Sequence, residues 1–98
     1  MPVGYNEERL LGLFQHDKDI IYIADTIDLE SIYGQSILLH EVVHFMQFSN
    51  NLHKDVMCQR ELERLAYELQ RVYLIENHAI PPFSDMHILF KSMCDNGA

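Results

Sequence analysis

Two histidines and a glutamate near the middle of the chain could hold a metal ion and act on water beside it. The residues run His40-Glu41-Val42-Val43-His44. Positions four apart lie nearly above one another on a helix, so both imidazoles can point at one ion. Glu41 lies about 100° further round, where its carboxylate can accept a proton from a metal-held water. The spacing therefore predicts a Zn²⁺ site with His40 and His44 as ligands and Glu41 as general base.

The segment from about Ser31 or Gln35 to Ser49 is expected to be the helix that carries these residues. Helical periodicity predicts a core-facing side formed by Leu38, Leu39, Val42, Phe45 and Met46, and an opposite side formed by Ser36, His40, Val43, His44 and Gln47. The histidines are thus predicted to lie away from the core, where two solvated histidines without a metal are the alternative. Gln47 is expected either to orient a ligand or to face solvent.

A second long helix is expected from about Val56 to Asn77. Its predicted apolar stripe consists of Leu62, Leu65, Leu69, Val72 and Tyr73. A catalytic zinc with two histidines and an open water position takes one more protein ligand, and a glutamate from a neighbouring helix fits. The candidates on this helix are Glu61, Glu63 and Glu68.

Among these three glutamates the periodicity favours Glu63. Glu63 shares a flank with Ala66, Tyr67 and Gln70, and the small Ala66 allows that flank to approach the first helix closely. Glu61 and Glu68 lie on the other flank with Arg64, where ion pairing suffices to explain them. We therefore predict Glu63 as the third metal ligand.

The pattern His40-Glu41-x-x-His44, followed after 18 residues by Glu63-x-x-Ala66, resembles the gluzincin metallopeptidases. The short chain, the strand just upstream and Gln47 look like the smallest members of that clan and related uncharacterised bacterial HExxH domains. The resemblance covers about Ile20 to Leu74. It implies a single zincin-like domain over residues 1–98, mainly α (α+β), with an HExxH helix, a following glutamate helix and one short upstream β-strand.

The same resemblance implies a zinc metallopeptidase acting on a peptide or protein substrate. His40, His44 and Glu63 would be ligands, and Glu41 would take a proton from the bound water and pass it to the leaving nitrogen. Larger relatives use a further histidine or tyrosine to stabilise the oxyanion, and this chain has no unambiguous equivalent. The candidates are Tyr67, Tyr73 and His78.

The remaining elements are expected to support this pair of helices. Asn6 is a plausible N-cap for a short helix from Glu7 to about Gln15, with Leu10, Leu11 and Phe14 at core spacing. Asp17-Lys18-Asp19 is a predicted turn. Ser84 or Asp85 can cap a last helix through about Met93, whose Ile88, Leu89 and Met93 are expected to close the core.

Residues Ile20 to Ala24 form the only convincing predicted strand. A lone strand leaves its backbone groups unpaired, so a partner is expected. The partner can be a short local segment, a second copy of the protein in a homodimer, or an extended substrate added as a strand.

Composition sets limits on the partners. The 98 residues include fifteen acidic and seven basic side chains, a formal charge of -8. Nucleic acid is excluded as an expected partner because phosphate binding relies on clustered Lys and Arg. No apolar run approaches the roughly 20 residues that cross a bilayer, so no membrane is expected.

Cys58 and Cys94 allow three interpretations: a disulfide that ties the C-terminal segment to the second long helix, two buried thiols, or extra zinc ligands. A disulfide favours an exported or periplasmic protein, whereas free thiols favour a cytoplasmic one.

Two other functions compete with a zinc peptidase. One is a non-catalytic metal-binding or interaction domain that keeps the HExxH helix without an oxyanion donor. The other is a metal-free helical module in which the histidines are incidental. Metal content separates the last from the first two.

Overall fold

A two-stranded antiparallel hairpin is followed by three α-helices in residues 11–94, the part of the chain that this computed structural model describes. The elements are β1 (Gly12–Gln15), β2 (Ile20–Ile23), α1 (Ile32–Ser49), α2 (Leu62–Glu76) and α3 (Asp85–Ser92), with 3₁₀ turns at Leu52–Lys54 and Gln59–Glu61 between α1 and α2. This mainly helical α+β arrangement confirms the predicted fold class.

The hairpin corrects the prediction of a helix ending near Gln15. Gly12 to Gln15 form a strand whose residues pair with Ile23 to Ile20, whereas Glu7 to Leu10 lie outside the described residues. The turn at residues 16–19 has the left-handed Asp19 (φ 54°) as its last residue. A strand needs a hydrogen-bonded neighbour, and pairing with β2 outweighs the weak helical spacing of Leu11 and Phe14.

Helix α1 begins at the earlier of its two predicted starts, with Ser31 as its N-cap. The Ser31 hydroxyl accepts from the Gly34 N–H at 2.9 Å and donates to the Asp28 carbonyl at 2.6 Å. A Cβ on Gly34 would lie 2.0 Å from the Asp28 carbonyl oxygen, so the preceding loop can fold against the helix only because this residue is glycine.

Helix α1 turns inward the side that carries the histidines, opposite to the prediction, whereas α2 packs on the predicted flank of Ala66 and Gln70 and buries only Leu62 of its predicted apolar stripe. The buried residues of α1 are Gly34, Ser36, Ile37, His40, Glu41, Val43 and Gln47, and those of α2 are Leu62, Ala66, Gln70 and Leu74. The predicted core residues Val42, Met46, Leu65, Leu69 and Val72 are exposed. The polar side can be buried because its groups bond to one another across the two helices, which periodicity along one helix does not reveal.

Helix α2 starts six residues later than predicted, after the 3₁₀ turn Gln59–Glu61. A Cys58–Cys94 disulfide joins this turn to the segment that follows α3. The Arg60 guanidinium adds a second link, donating to the carbonyl oxygen of Phe90 at 2.7 Å. The N-terminal end of α2 and the C-terminal end of α3 are therefore held together.

Helix α3 begins at the predicted cap, with the Ser84 hydroxyl accepting from the His87 N–H at 3.2 Å. Ile88 is buried as predicted, but Leu89 and Met93 are exposed. This short helix packs against one flank of α2, so only one of its apolar positions reaches the interior.

Within residues 11–94 no helix combines the length and apolar character that a membrane crossing requires.

Candidate metal centre

Three ligand atoms from α1 and α2 converge between the two helices. The Nε2 atoms of His40 and His44 lie 3.3 Å apart, and Glu63 Oε1 lies 2.9 Å from the first and 3.0 Å from the second. Ala66, fully buried one turn after Glu63, leaves room for this approach. The structure thus brings together the three residues that the sequence predicts as ligands.

A buried glutamine sets the tautomer of His44. The Gln47 amide nitrogen donates to the Leu62 carbonyl at 3.1 Å, which directs the amide oxygen to His44 Nδ1 at 2.9 Å. An amide oxygen only accepts, so Nδ1 must carry the proton. The Nε2 of a neutral His44 therefore points its lone pair at the convergence point, and Gln47 is buried and orients this predicted ligand instead of facing solvent.

A second glutamine does the same for His40. The Ser36 hydroxyl donates to the Tyr33 carbonyl at 2.6 Å and accepts from the Gln70 amide nitrogen at 3.1 Å. The Gln70 amide oxygen is thereby directed to His40 Nδ1 at 2.9 Å. His40 Nε2 also carries a lone pair, and this chain of three side chains is wholly buried.

This donor set fits a divalent metal. Three acceptor atoms with lone pairs crowded within 3.3 Å repel one another unless a proton or a cation lies among them. Two nitrogens at 2.0–2.1 Å from a tetrahedral zinc are about 3.3–3.4 Å apart, which matches the separation of the two Nε2 atoms. The carboxylate supplies negative charge, so a zinc ion would fit here with little movement.

Glu63 and His44 are strongly coupled. Burial by itself would raise the pKa of Glu63, but hydrogen bonds that His40 and His44 donate when their Nε2 atoms are protonated, together with the charge they then carry, lower the pKa of this carboxyl to about 2. Burial also opposes protonation of His44, yet the hydrogen bond and charge of Glu63 raise the pKa of His44 above its usual value. Without a metal, a proton on His44 can thus pair with the Glu63 carboxylate.

Glu41 lies beside the three ligand atoms and outside their group. Strand β1 presses on it so closely that a Cβ on Gly12 would lie 3.1 Å from Glu41 Oε2. Burial raises the pKa of the Glu41 carboxyl, and the nearby His40 and His44, which act in the other direction, do not cancel that effect. A carboxyl with a raised pKa beside a metal position is suited to receive and return a proton.

A cleft of about 290 Å³ opens next to this group. Four parts of the chain line this cleft: β1 with the turn after it, α1, the 3₁₀ turn Gln59–Glu61, and the start of α2. The lining residues are Gly12, Leu13, Phe14, His16, Glu41, His44, Phe48, Gln59, Arg60, Leu62 and Glu63. Glu41, His44 and Glu63 therefore face a space that a substrate can enter.

The other predicted site residues lie at different distances from this group. The Tyr67 ring packs edge-on against His40, with ring centroids 4.5 Å apart. The Tyr73 hydroxyl donates to Gln35. His78 lies beyond the C-terminal end of α2, whose last residue, Glu76, is about 20 Å along the helix from Glu63. We therefore retain Tyr67 as a candidate and withdraw His78.

The two alternative glutamates lie elsewhere. Glu68 pairs with Arg64, with a nitrogen-to-oxygen distance of 3.8 Å, as its flank predicts. The Glu61 carboxylate instead contacts the sulfur of Cys94. Neither belongs to the ligand group around His40 and His44.

The roles of Ser36 and Gln70 were missed by the sequence interpretation. Helical spacing predicts the face of each residue, since Ser36 lies four residues before His40 and Gln70 lies seven after Glu63. Their bond to each other spans 34 residues. Helical spacing identifies the faces, but only the packing of α1 against α2 shows that these side chains meet.

Replacing Gln70 with Leu should weaken zinc binding by about 10- to 100-fold, because the orienting acceptor of a ligating imidazole is lost. Gln70→Glu keeps an acceptor and should bind zinc at least as tightly as wild type. Competition with a chromophoric chelator measures both affinities. Glu76→Gln, an exposed change on the same helix, is the control. A Gln70→Leu protein with wild-type affinity would contradict this role.

The metal-free chain should have a stability that depends on the His44–Glu63 pair. The pKa of Glu63 is lowered to about 2, so its contribution is present above the usual carboxyl pKa and is lost as the pH falls toward 2. The pKa of His44 is raised, so its contribution is present below the usual histidine pKa and is lost as the pH rises past the raised value. Both contributions are therefore present between the usual carboxyl pKa and the usual histidine pKa, where the metal-free chain should be most stable. Urea unfolding in a chelator from pH 3 to 9 should show this maximum in the free energy of unfolding, and Glu63→Gln should reduce its dependence on pH.

Comparison with known proteins identifies one family. A family model described as a domain of unknown function (DUF6647) matches residues 3–97. No curated protein and no solved structure matches the chain.

Proposed function

The chain belongs to the DUF6647 family, and since that family description assigns no activity, we propose from the site itself that the protein is a zinc-dependent hydrolase, specifically a peptidase. One observation carries the proposal: two imidazoles, held by buried glutamines with their Nε2 lone pairs facing each other, meet the Glu63 carboxylate beside a buried Glu41. The motif resemblance to gluzincin metallopeptidases agrees with it.

His40, His44 and Glu63 would hold the metal. When bound, zinc would supply a Lewis acid and lower the pKa of a coordinated water. Glu41 would take the proton from that water and deliver it to the nitrogen of the leaving group, a double role that its raised pKa favours. Gln47 and Gln70 would keep the imidazoles neutral and in place, and Tyr67 is the remaining candidate for a donor to the oxyanion.

The edge of β1 supports a peptide as substrate. The Ala24 N–H donates to the Leu11 carbonyl at 2.9 Å, which makes Leu11 and Ala24 a hydrogen-bonded pair. Hydrogen-bonded and non-hydrogen-bonded pairs alternate along antiparallel strands, so the backbone N–H and C=O groups of Gly12 and Phe14 point away from β2. Both residues line the cleft. The Phe14 N–H already donates to Glu41, so an extended chain could add to β1 through the Gly12 backbone and the Phe14 carbonyl while passing Glu41 and the ligand group.

Zinc content and hydrolysis together test the proposal. Purified protein with its disulfide intact should hold one zinc per chain, hydrolyse members of a peptide library, and lose that activity in a chelator. Chelation should also lower Tm, because a ligand that binds only the folded chain stabilises it. Zinc well below one per chain would favour the metal-free module, and bound zinc without hydrolysis would favour the non-catalytic metal-binding domain.

Two further properties stay predictions. Among residues 11–94 the only strand paired with β2 is β1, and the other edge of β2 could form a homodimer, which sedimentation can detect. The Cys58–Cys94 disulfide supports an exported or periplasmic location, because such bonds persist in oxidising compartments.

A further inference from the structure

A second cluster of metal-ligating side chains lies where the start of α2 meets the end of α3. It consists of Cys58, Glu61 and Cys94, whose sulfur and carboxylate ligand atoms lie within 4.8 Å of one another. The two cysteines form a disulfide, which leaves the role of Glu61 unexplained. This cluster shares no residue with the His40–His44–Glu63 group.

The Glu61 carboxylate is placed against a sulfur that has no proton to give. Its Oε2 lies 3.3 Å from Cys94 Sγ, yet a disulfide sulfur is not a hydrogen-bond donor. The first arginine of α2, Arg64, forms its ion pair with Glu68 and not with Glu61. The position of this carboxylate is therefore better suited to a state in which a thiol or a cation replaces the disulfide.

We propose that, when the disulfide is reduced, Cys58, Cys94 and Glu61 bind a thiophilic divalent metal such as zinc. Two thiolates and one carboxylate supply three ligands, and water completes a tetrahedral site. In a tetrahedral zinc site a sulfur and an oxygen ligand lie about 3.6 Å apart, close to the distance between Cys94 Sγ and Glu61 Oε2.

The surrounding structure keeps the three ligands together after the sulfur–sulfur bond is broken. The Cα atoms of Cys58 and Cys94 lie 5.7 Å apart, so both thiols stay within reach of one ion. Arg60, between Cys58 and Glu61, donates to the Phe90 carbonyl at 2.7 Å and to the Lys91 carbonyl at 3.4 Å. These bonds do not depend on the oxidation state of the cysteines.

The chemistry balances with a thiol or dithiol as the reductant. Two electrons and two protons from the reductant convert the disulfide into two thiols, and the reductant becomes a disulfide. Metal binding then releases two protons as the thiols become thiolates. The same three side chains thus connect α2 to α3 by a disulfide in an oxidising compartment and by a metal in a reducing one.

Cobalt(II) spectroscopy of the intact chain tests this site. Thiolate ligands give Co²⁺ an intense near-ultraviolet charge-transfer absorption, which the His40–His44–Glu63 group cannot produce because it contains no sulfur. After reduction with a phosphine under anaerobic conditions, this absorption should rise and saturate at one Co²⁺ per chain bound through sulfur. The oxidised chain should not show it, and added zinc should abolish it by displacing the cobalt.

Variants identify the ligands. Cys94→Ser should remove the absorption, and Glu61→Gln should weaken cobalt binding at this site by more than about tenfold, since even partners outside the ligand shell are worth 10- to 100-fold. Glu68→Gln, on the same helix, is the matched control and should change nothing. A reduced chain without thiolate absorption, or one in which Cys94→Ser or Glu61→Gln binds like wild type, overturns the proposal whether or not the protein is a hydrolase.

Discussion

Glu41→Gln should lower kcat for peptide hydrolysis by about 10²–10⁴-fold, the range that a positioned general acid–base contributes. The amide keeps the size of the side chain but cannot take a proton from water. Because Glu41 stands outside the ligand group, the variant should keep its full zinc content.

The same variant should be more stable than wild type when the metal is removed. Burial raises the pKa of Glu41, which means that its carboxylate destabilises the folded chain at neutral pH. A neutral amide removes that cost, so Tm in a chelator should rise by a few degrees, a shift that corresponds to about 1 kcal/mol or less in a domain of this size. A gain in stability would show that lost activity is not a failure to fold.

Three measurements on Glu41→Gln decide the mechanism: zinc by elemental analysis, Tm in chelator, and kcat on the best library peptide. Glu68→Gln, which removes an exposed carboxylate from α2, should leave all three unchanged. Turnover by Glu41→Gln at the wild-type rate would rule out Glu41 as the general base.

Glu63→Ala should weaken zinc binding by more than about 100-fold, beyond the loss expected for a residue that only orients a ligand. Glu63 is the one charged member of the ligand group, and its Oε1 lies within 3.0 Å of both histidine nitrogens. Without it, the two neutral imidazoles bind the cation with no protein charge to compensate it.

Glu68→Ala is the matched control, because it removes a glutamate from the same helix that pairs only with Arg64 in the salt bridges of residues 11–94. Glu61→Ala serves the same purpose in oxidised protein. Both should bind zinc within about twofold of wild type, since neither carboxylate belongs to the His40–His44–Glu63 group. Zinc affinity of Glu63→Ala close to that of the Glu61 variant would remove Glu63 from the ligand set.

Local sequence predicted the elements that carry the site. The i, i+4 spacing puts His40 and His44 on one side of α1, and Ser31 and Ser84 mark helix starts that the structure confirms. The flank shared by Glu63, Ala66 and Gln70 correctly singled out one of three glutamates for contact with the histidines. These successes concern residues close together in the chain, where helix geometry alone relates the side chains.

The direction in which each face turns could not be predicted in this way. Apolar periodicity predicts that Val42 and Leu65 face the core. In the structure both are exposed, and the side of α1 that carries His40 is buried instead. Periodicity states which residues share a face, and the rule that polar faces turn outward fails when their groups find buried partners. Here those partners lie on the other helix, as between Ser36 and Gln70.

The sequence alone determined the secondary structure of the three helices and of β2, the alignment of two imidazoles on α1, and which glutamate of α2 meets them. The tertiary structure alone decided that β1 is a strand over Glu41, that two glutamines set the tautomers of the histidines, and that Glu61 lies beside the cysteine pair. The physical reason is the range of the interactions: the first set follows from bonds within one or two helical turns, and the second from hydrogen bonds and packing between elements that only folding brings together.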